Sequence, residues 1–162
     1  MEIHEPLLAE TDVRARFILP INGKIVFIHR ITTKNPEGYY ILPGGGVDPG
    51  ETPETTLLRE AREEINMEIR PQKLLFIAMH EDTNGKHTQL FYTCERISGE
   101  LSLGQGIENT SEWQMEHGTH TPVLVDPADI PSLTIHPRVT KDYLVKYATD
   151  LQGAPFMTLY NL

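Results

Sequence analysis

From Val13 the chain runs apolar with two arginines set into it, VRARFILPI, and a second apolar run, Lys24 to Ile31, follows almost at once. Both runs are rich in β-branched and aromatic residues, and Asn22-Gly23 stands between them. Asn and Gly tolerate positive φ, so the pattern predicts strands at Val13–Ile21 and Lys24–Ile31 joined as a hairpin. After a loop with Asn35, Pro36 and Gly38 comes a short predicted strand, Tyr39–Leu42, and Pro43-Gly44-Gly45-Gly46 is then expected to break regular structure. Thr52 suits an N-cap, Pro53 the first helical position and Glu54 the positive end of the helix dipole, which predicts a helix over Pro53–Ile65. Strands are expected again at Lys73–Glu81 and Thr88–Ile97, turning at Asn84-Gly85. The polar, Gly-rich stretch Ser98–Thr110 is too long for a simple hairpin connection. A strand at Pro122–Asp126 precedes a helix at Pro137–Leu151, where Val139, Tyr143, Leu144, Tyr147 and Leu151 recur at helical spacing. Gly153–Leu162 shows no clear preference. Strands interleaved with one central and one terminal helix predict an α+β chain whose mixed sheet is covered by helices.

Length changes this picture little: 162 residues are expected to form a single domain, residues 1–162, able to bury roughly 70% of the extended surface. Charge changes it more. With 14 Lys+Arg against 23 Asp+Glu the net charge is −9, which argues against a protein that sits along a nucleic-acid backbone. The lone Cys94 excludes an intrachain disulfide framework. The first ten residues are acidic where a signal peptide would be basic, and the longest apolar run, Leu74–Met79, is far short of a membrane span. A cytoplasmic protein with no membrane partner is expected.

Chemistry concentrates between Gly45 and Met67. Glu60, Glu63 and Glu64 stand at i, i+3 and i+4, so in a helix they share one face, while Leu58, Ala61 and Ile65 share another suited to packing on a sheet. Like charges at these spacings repel by a few tenths of a kcal/mol per pair. A hard divalent ion with oxygen ligands would compensate them, and the glycines before the helix let the Gly45 carbonyl approach the same ion. Arg59 can pair with Glu51 and fix the loop onto the helix. Taken alone, three glutamates on a helix face are more often a solvated surface.

Together these residues resemble the signature of the Nudix hydrolase family, G-x5-E-x7-R-E-U-x-E-E-x-G-U with U apolar. Here it reads Gly45, Glu51, Arg59, Glu60, Ala61, Glu63, Glu64 and Met67, a box over 45–67. One departure is Asn66 where the pattern has glycine. Asn is the next-best residue for the left-handed conformation that ends a helix, so the backbone should survive. The MutT-like resemblance implies a Nudix fold, an α/β/α sandwich with a mixed sheet between helices. It implies hydrolysis of a pyrophosphate bond in a nucleoside diphosphate linked to another moiety, X, or in a nucleoside triphosphate. The cofactor would be Mg²⁺ or Mn²⁺, held by Glu60, Glu63, Glu64 and the Gly45 carbonyl, with Glu51 and Arg59 supporting the box. The partner is a small nucleotide substrate, and a homodimer is left open.

A general base is also implied. In relatives it comes from the box, here Glu60, or from a loop after the central strands, here Gly99–Glu116. Glu108 is the choice there, with Glu112 and Glu116 as candidates, so Glu60, Glu64 and Glu108 form the expected catalytic set. Arg14 and Arg16 share a strand face and could meet substrate phosphate. Arg30 or His29 could also touch substrate, and Tyr39 or Tyr40 could stack on a base, though core packing is the default for a tyrosine. The seven histidines suggest no zinc set, and His117 and His120 read as loop residues that could face substrate. X is not named by the box: the proline of some ADP-ribose hydrolases and the tyrosine of dinucleoside-polyphosphate hydrolases are missing from His80–Asn84. Two other classes remain open, a weakly active nucleotide sensor and an isoprenoid-diphosphate isomerase. The intact box argues against the first, and Cys94, inside a strand, is a poor acid for the second.

Overall fold

The first apolar run does not form one strand. In the computed structural model, which describes residues 12–102, 104 and 110–160, it divides at Leu19 into β1 (Asp12–Ile18) and β2 (Pro20–Ile21). Asn22 and Gly23, both at positive φ, close only the short hairpin from β2 to β3 (Lys24–Ile31). β1 leaves that sheet and joins another. There it pairs in parallel with β7 (Gly85–Ser98) and antiparallel with β5 (Gly44–Gly46). The glycine run expected to break structure is therefore a strand. A Cβ on Gly44 would collide with the Ala15 backbone, so glycine is what allows the close approach.

The five-stranded sheet has the order β5-β1-β7-β6-β9, with β6 spanning Glu68–Asp82 and β9 Met157–Tyr160. β6 and β7 run longer than predicted because register shifts between Pro71 and Lys73, and at two other points, absorb residues a flat ladder would reject. β9, in a tail without sequence preference, pairs in parallel with β6. In the second sheet β3 is central. It pairs with β2 and with β4 (Tyr39–Ile41), and over Ile25–Ile31 with β8 (Thr119–Val125). Helix α1 spans Pro53–Ile65 as predicted, α2 spans Ser111–His117 inside the expected loop, and α3 spans Arg138–Tyr147.

Period-two alternation sends each strand's two faces into different cores. Ile25 and Phe27 of β3 pack with Phe76, Phe91 and, from α3, Tyr143 and Leu144. Val26 and Ile28 pack with Ala15, Phe17, Leu90 and, from α1, Leu57, Ala61 and Ile65. Strands buried on both faces read as near-continuous apolar runs, as these do. The result is a mixed β layer between α1 and α3, the α/β/α sandwich expected.

Candidate active site

Helix α1 is fixed at both ends. Thr52 and Thr55 form a reciprocal capping box, with Pro53 at the first turn. Asn66 adopts the left-handed conformation (φ 57°) and Met67 N–H donates to Ala61 O, so the missing glycine leaves the cap intact. Ahead of the helix, Glu51 takes Arg59 on both oxygens at 2.9 Å and also accepts from Asp48 N–H and the Thr56 hydroxyl. Chiefly through Arg59, its carboxyl is held down to about 2. Arg59 Nη1 lies 2.9 Å from Glu60 and 3.2 Å from Glu63, and Nη2 reaches Gly46 O.

The three box glutamates do not share one environment. Glu60 and Glu64, a turn apart, are buried, while the Glu63 side chain is 39% exposed. Burial, reinforced by Glu64, pushes the Glu60 carboxyl up to about 8. A Cβ on Gly45 would run into that carboxylate, so the glycine strand lies directly against it. Glu64 Oε1 accepts from Gly44 N–H at 2.9 Å, and Oε2 lies 2.7 Å from His120 Nε2. His120 is thus not a loop residue: β8 buries it and brings it to the box from 56 positions away. Sequence reasoning missed it, and its only signal was the alternation within the strand that carries it. These carboxylates offer an all-oxygen set fitting a hard divalent ion, and two buried acids side by side are the arrangement such an ion relieves.

Arg16 is buried and reaches Gln89 Oε1 at 3.0 Å, Leu42 O at 3.1 Å and Gly44 O at 3.3 Å. Burial lowers the affinity of its guanidinium for the proton, against the pull of Glu64. One residue, Gly44, therefore joins Glu64, through its N–H, to Arg16, through its carbonyl. Arg14, half exposed, shares with Arg16, Asp12, His80, His87 and Gln89 a cleft of about 230 Å³.

Other expected site residues among those described, Arg30, Tyr40, Glu112 and Glu116, are engaged elsewhere or lie exposed. Arg30 donates to Thr119 O and His117 O and lies over the Trp113 ring, tying β3 to α2 and β8. Tyr40 stacks on His29 and meets Phe27 edge-on, in keeping with a packing role. Glu112 and Glu116 lie exposed on α2 rather than in a loop, and Glu108 lies outside the described residues. Before it, the chain crosses the last turn of α1, with Ser102 N–H on Ile65 O and Gly104 N–H on Glu64 O. Cys94 is buried and its thiol is pushed up to about 12, which suits neither a nucleophile nor an acid.

The NUDIX domain family matches residues 11–139. An ADP-ribose pyrophosphatase of Methanocaldococcus jannaschii is 28% identical over 131 residues, covering 78% of this chain and 69% of its own. An 8-oxo-dGTP diphosphatase of Proteus vulgaris is 28% identical over 94 residues, covering 58% of this chain and 84% of its own. Among solved structures, a NUDIX hydrolase from Nitrosomonas europaea shares the fold at a TM-score of 0.66 and 18% identity, over 93% of this chain and 80% of that one. No helix among the described residues is long and apolar enough to cross a membrane. With the box, its glycine strand and the sandwich in place, the chain belongs to the NUDIX domain family and is a MutT-like Nudix hydrolase.

Proposed function

We propose that this pyrophosphohydrolase cleaves the pyrophosphate bond of a nucleoside diphosphate linked to another moiety, X, using Mg²⁺ or Mn²⁺. The observation that carries the reading is the burial of Glu60 and Glu64 together against the Gly44–Gly46 strand. By name, the relatives act on ADP-ribose and 8-oxo-dGTP, and a structural neighbour at a TM-score of 0.65 is a UDP-X diphosphatase. Glu60, Glu63, Glu64 and the Gly45 carbonyl would hold the ion. Bound there, it supplies neutralisation of phosphate charge and a water of lowered pKa.

The remaining work falls to the chain itself. Gly44 N–H and His120 each hold one oxygen of Glu64, which fixes the carboxylate plane before any ligand arrives. Arg59 clamps Glu51 and so sets the path of the loop into α1. Arg14 supplies an exposed cation for substrate phosphate, whereas Arg16 is engaged with carbonyls and serves to position the glycine strand. Glu108 is the base in this reading and Glu60 the alternative. Supporting it, Gly104 N–H donates to Glu64 O four positions before Glu108 in the chain.

The test is a screen of nucleoside diphosphate derivatives and nucleoside triphosphates with Mg²⁺, run beside Glu64→Gln. Wild type should release a nucleoside monophosphate plus X-phosphate, and Glu64→Gln should lose at least about a hundredfold in kcat while remaining folded. Release of monophosphate and pyrophosphate from triphosphates alone would select the triphosphate reading. Near wild-type turnover by Glu64→Gln would refute the site.

A further inference from the structure

The hairpin joining β6 to β7 carries a second group of donors, unlike those of the box. His80 and His87 are directly opposed across the two strands, their rings stacked at 4.6 Å and 15°. Asp82 is two residues beyond His80, so the pleat puts both on one face of the hairpin. One donor atom from each of His80, Asp82 and His87 lies within 4.8 Å of the others. Asp82 Oδ1 is already 3.0 Å from His87 Nε2. On the other side of the ring, Asp12 Oδ2 lies 3.3 Å from His87 Nδ1. That contact presents Nε2 as the ligand atom, the arrangement in which a carboxylate behind a histidine orients it for a metal. Tetrahedral bonds of about 2.0–2.2 Å place neighbouring ligand atoms roughly 3.3 Å apart, so small side-chain rotations suffice to close this set on an ion.

We propose that His80, Asp82 and His87 form a binding site for one late first-row divalent ion such as Zn²⁺, with Asp12 as the positioning residue for His87. Two imidazoles and one carboxylate select against Mg²⁺, which takes oxygen ligands, and so separate this site from the box by ligand chemistry. Three protein ligands leave a fourth position for water or an anion. His80 and His87 line the same cleft as Arg14 and Arg16, so that position borders cationic side chains suited to an anionic ligand. No cysteine takes part, and histidines seven residues apart on a hairpin have no metal-motif spacing. The pairing register, not the sequence interval, brings them together.

The test titrates the full chain, freed of metal and then supplied with millimolar Mg²⁺ to engage the box, with Zn²⁺ by calorimetry and with Co²⁺ by visible absorption. One equivalent should bind at micromolar or lower concentration, and Co²⁺ should give the intense d–d bands of a four-coordinate site. His80→Ala and His87→Ala should each weaken binding at least a hundredfold, and Asp12→Asn by about ten- to a hundredfold. The variant with Glu60, Glu63 and Glu64 all changed to Gln should bind Zn²⁺ as wild type does. That last result also separates this site from the box reading, which could fail without affecting it. The proposal is overturned by no saturable Zn²⁺ binding below about 100 μM, or by binding that survives both histidine changes. It is equally overturned if the Co²⁺ spectrum of wild type is six-coordinate.

Discussion

Glu51 and Glu60 share one arginine and titrate in opposite directions. Arg59 gives Glu51 two of its nitrogens, while a third is divided between Glu60 and Glu63. At Glu51 a backbone N–H and a threonine hydroxyl complete the shell, and the carboxyl is held at about 2. At Glu60 burial and Glu64 outweigh the same cation, and the carboxyl rises to about 8. The loop end of α1 is thus a finished structural knot. Its middle holds a buried carboxyl, Glu60, driven to keep its proton. What distinguishes support from chemistry in this box is not residue type or distance to Arg59 but whether the surroundings complete the charge.

The largest effect on stability should come from cutting the shared cation. Arg59→Ala removes a bidentate pair and leaves Glu51, Glu60 and Glu63 facing each other, a loss of about 2–3 kcal/mol. For a chain of this size that is a fall of roughly 5–10 °C in Tm, measured by calorimetry. Arg59→Lys keeps the charge without the fork and should recover less than half. Glu51→Gln should reproduce most of the loss, whereas Glu60→Gln in metal-free protein should leave Tm unchanged or raise it. Equal damage from Glu51→Gln and Glu60→Gln would erase the distinction between knot and site.

A smaller effect should separate orientation from charge. His120→Gln can still donate to Glu64, whereas His120→Ala removes the donor and leaves a gap beside a buried carboxylate. The alanine variant should lower kcat by about ten- to a hundredfold, with the glutamine variant recovering much of it and KM little changed in either. If both variants lower kcat alike, the imidazole does more than orient Glu64.

The contrast also marks what could be read from the chain. Thr52, Pro53 and Asn66 are local signals, so α1 has the predicted bounds and caps. Glu51 and Arg59 meet across a single turn and helix, within reach of spacing arguments. The alternation that puts Arg14 and Arg16 on one face holds and both line one cleft, yet only pairing with β5 shows that Arg16 is also held against the carbonyls of Leu42 and Gly44. The strand at Gly44–Gly46 was hidden because glycine has no β preference of its own, and its partner β1 is thirty positions earlier. His120 and the His80–His87 pair were illegible for the same reason: each depends on register between strands, which local pattern does not specify.

The finest test of the comparison is the pH dependence of stability in chelator, where no ion hides the Glu60 charge. Glu60 rises from the ordinary 4.5 to about 8 on folding, so between those values the folded chain holds a proton the unfolded chain has lost. Stability from this group is then greatest below 4.5 and falls as pH rises toward 8. Glu51 behaves oppositely. Its value drops from 4.5 to about 2, so its contribution is full above 4.5 and is lost as pH falls toward 2. Groups that touch neither Glu51 nor Glu60 cancel in the subtraction, which makes the difference curves the quantity to read. Subtracting Tm of Glu60→Gln from wild type should give a slope confined to pH 4.5–8 and negative with rising pH. The same subtraction for Glu51→Gln should give a positive slope confined to pH 2–4.5. Adding saturating Mg²⁺ should flatten the first curve and leave the second untouched, since the ion is proposed to sit on Glu60, Glu63 and Glu64 and not on Glu51. A Glu60 difference curve that is flat in chelator would mean that the buried pair is already compensated within the protein, and the two ends of the box would then differ in burial alone.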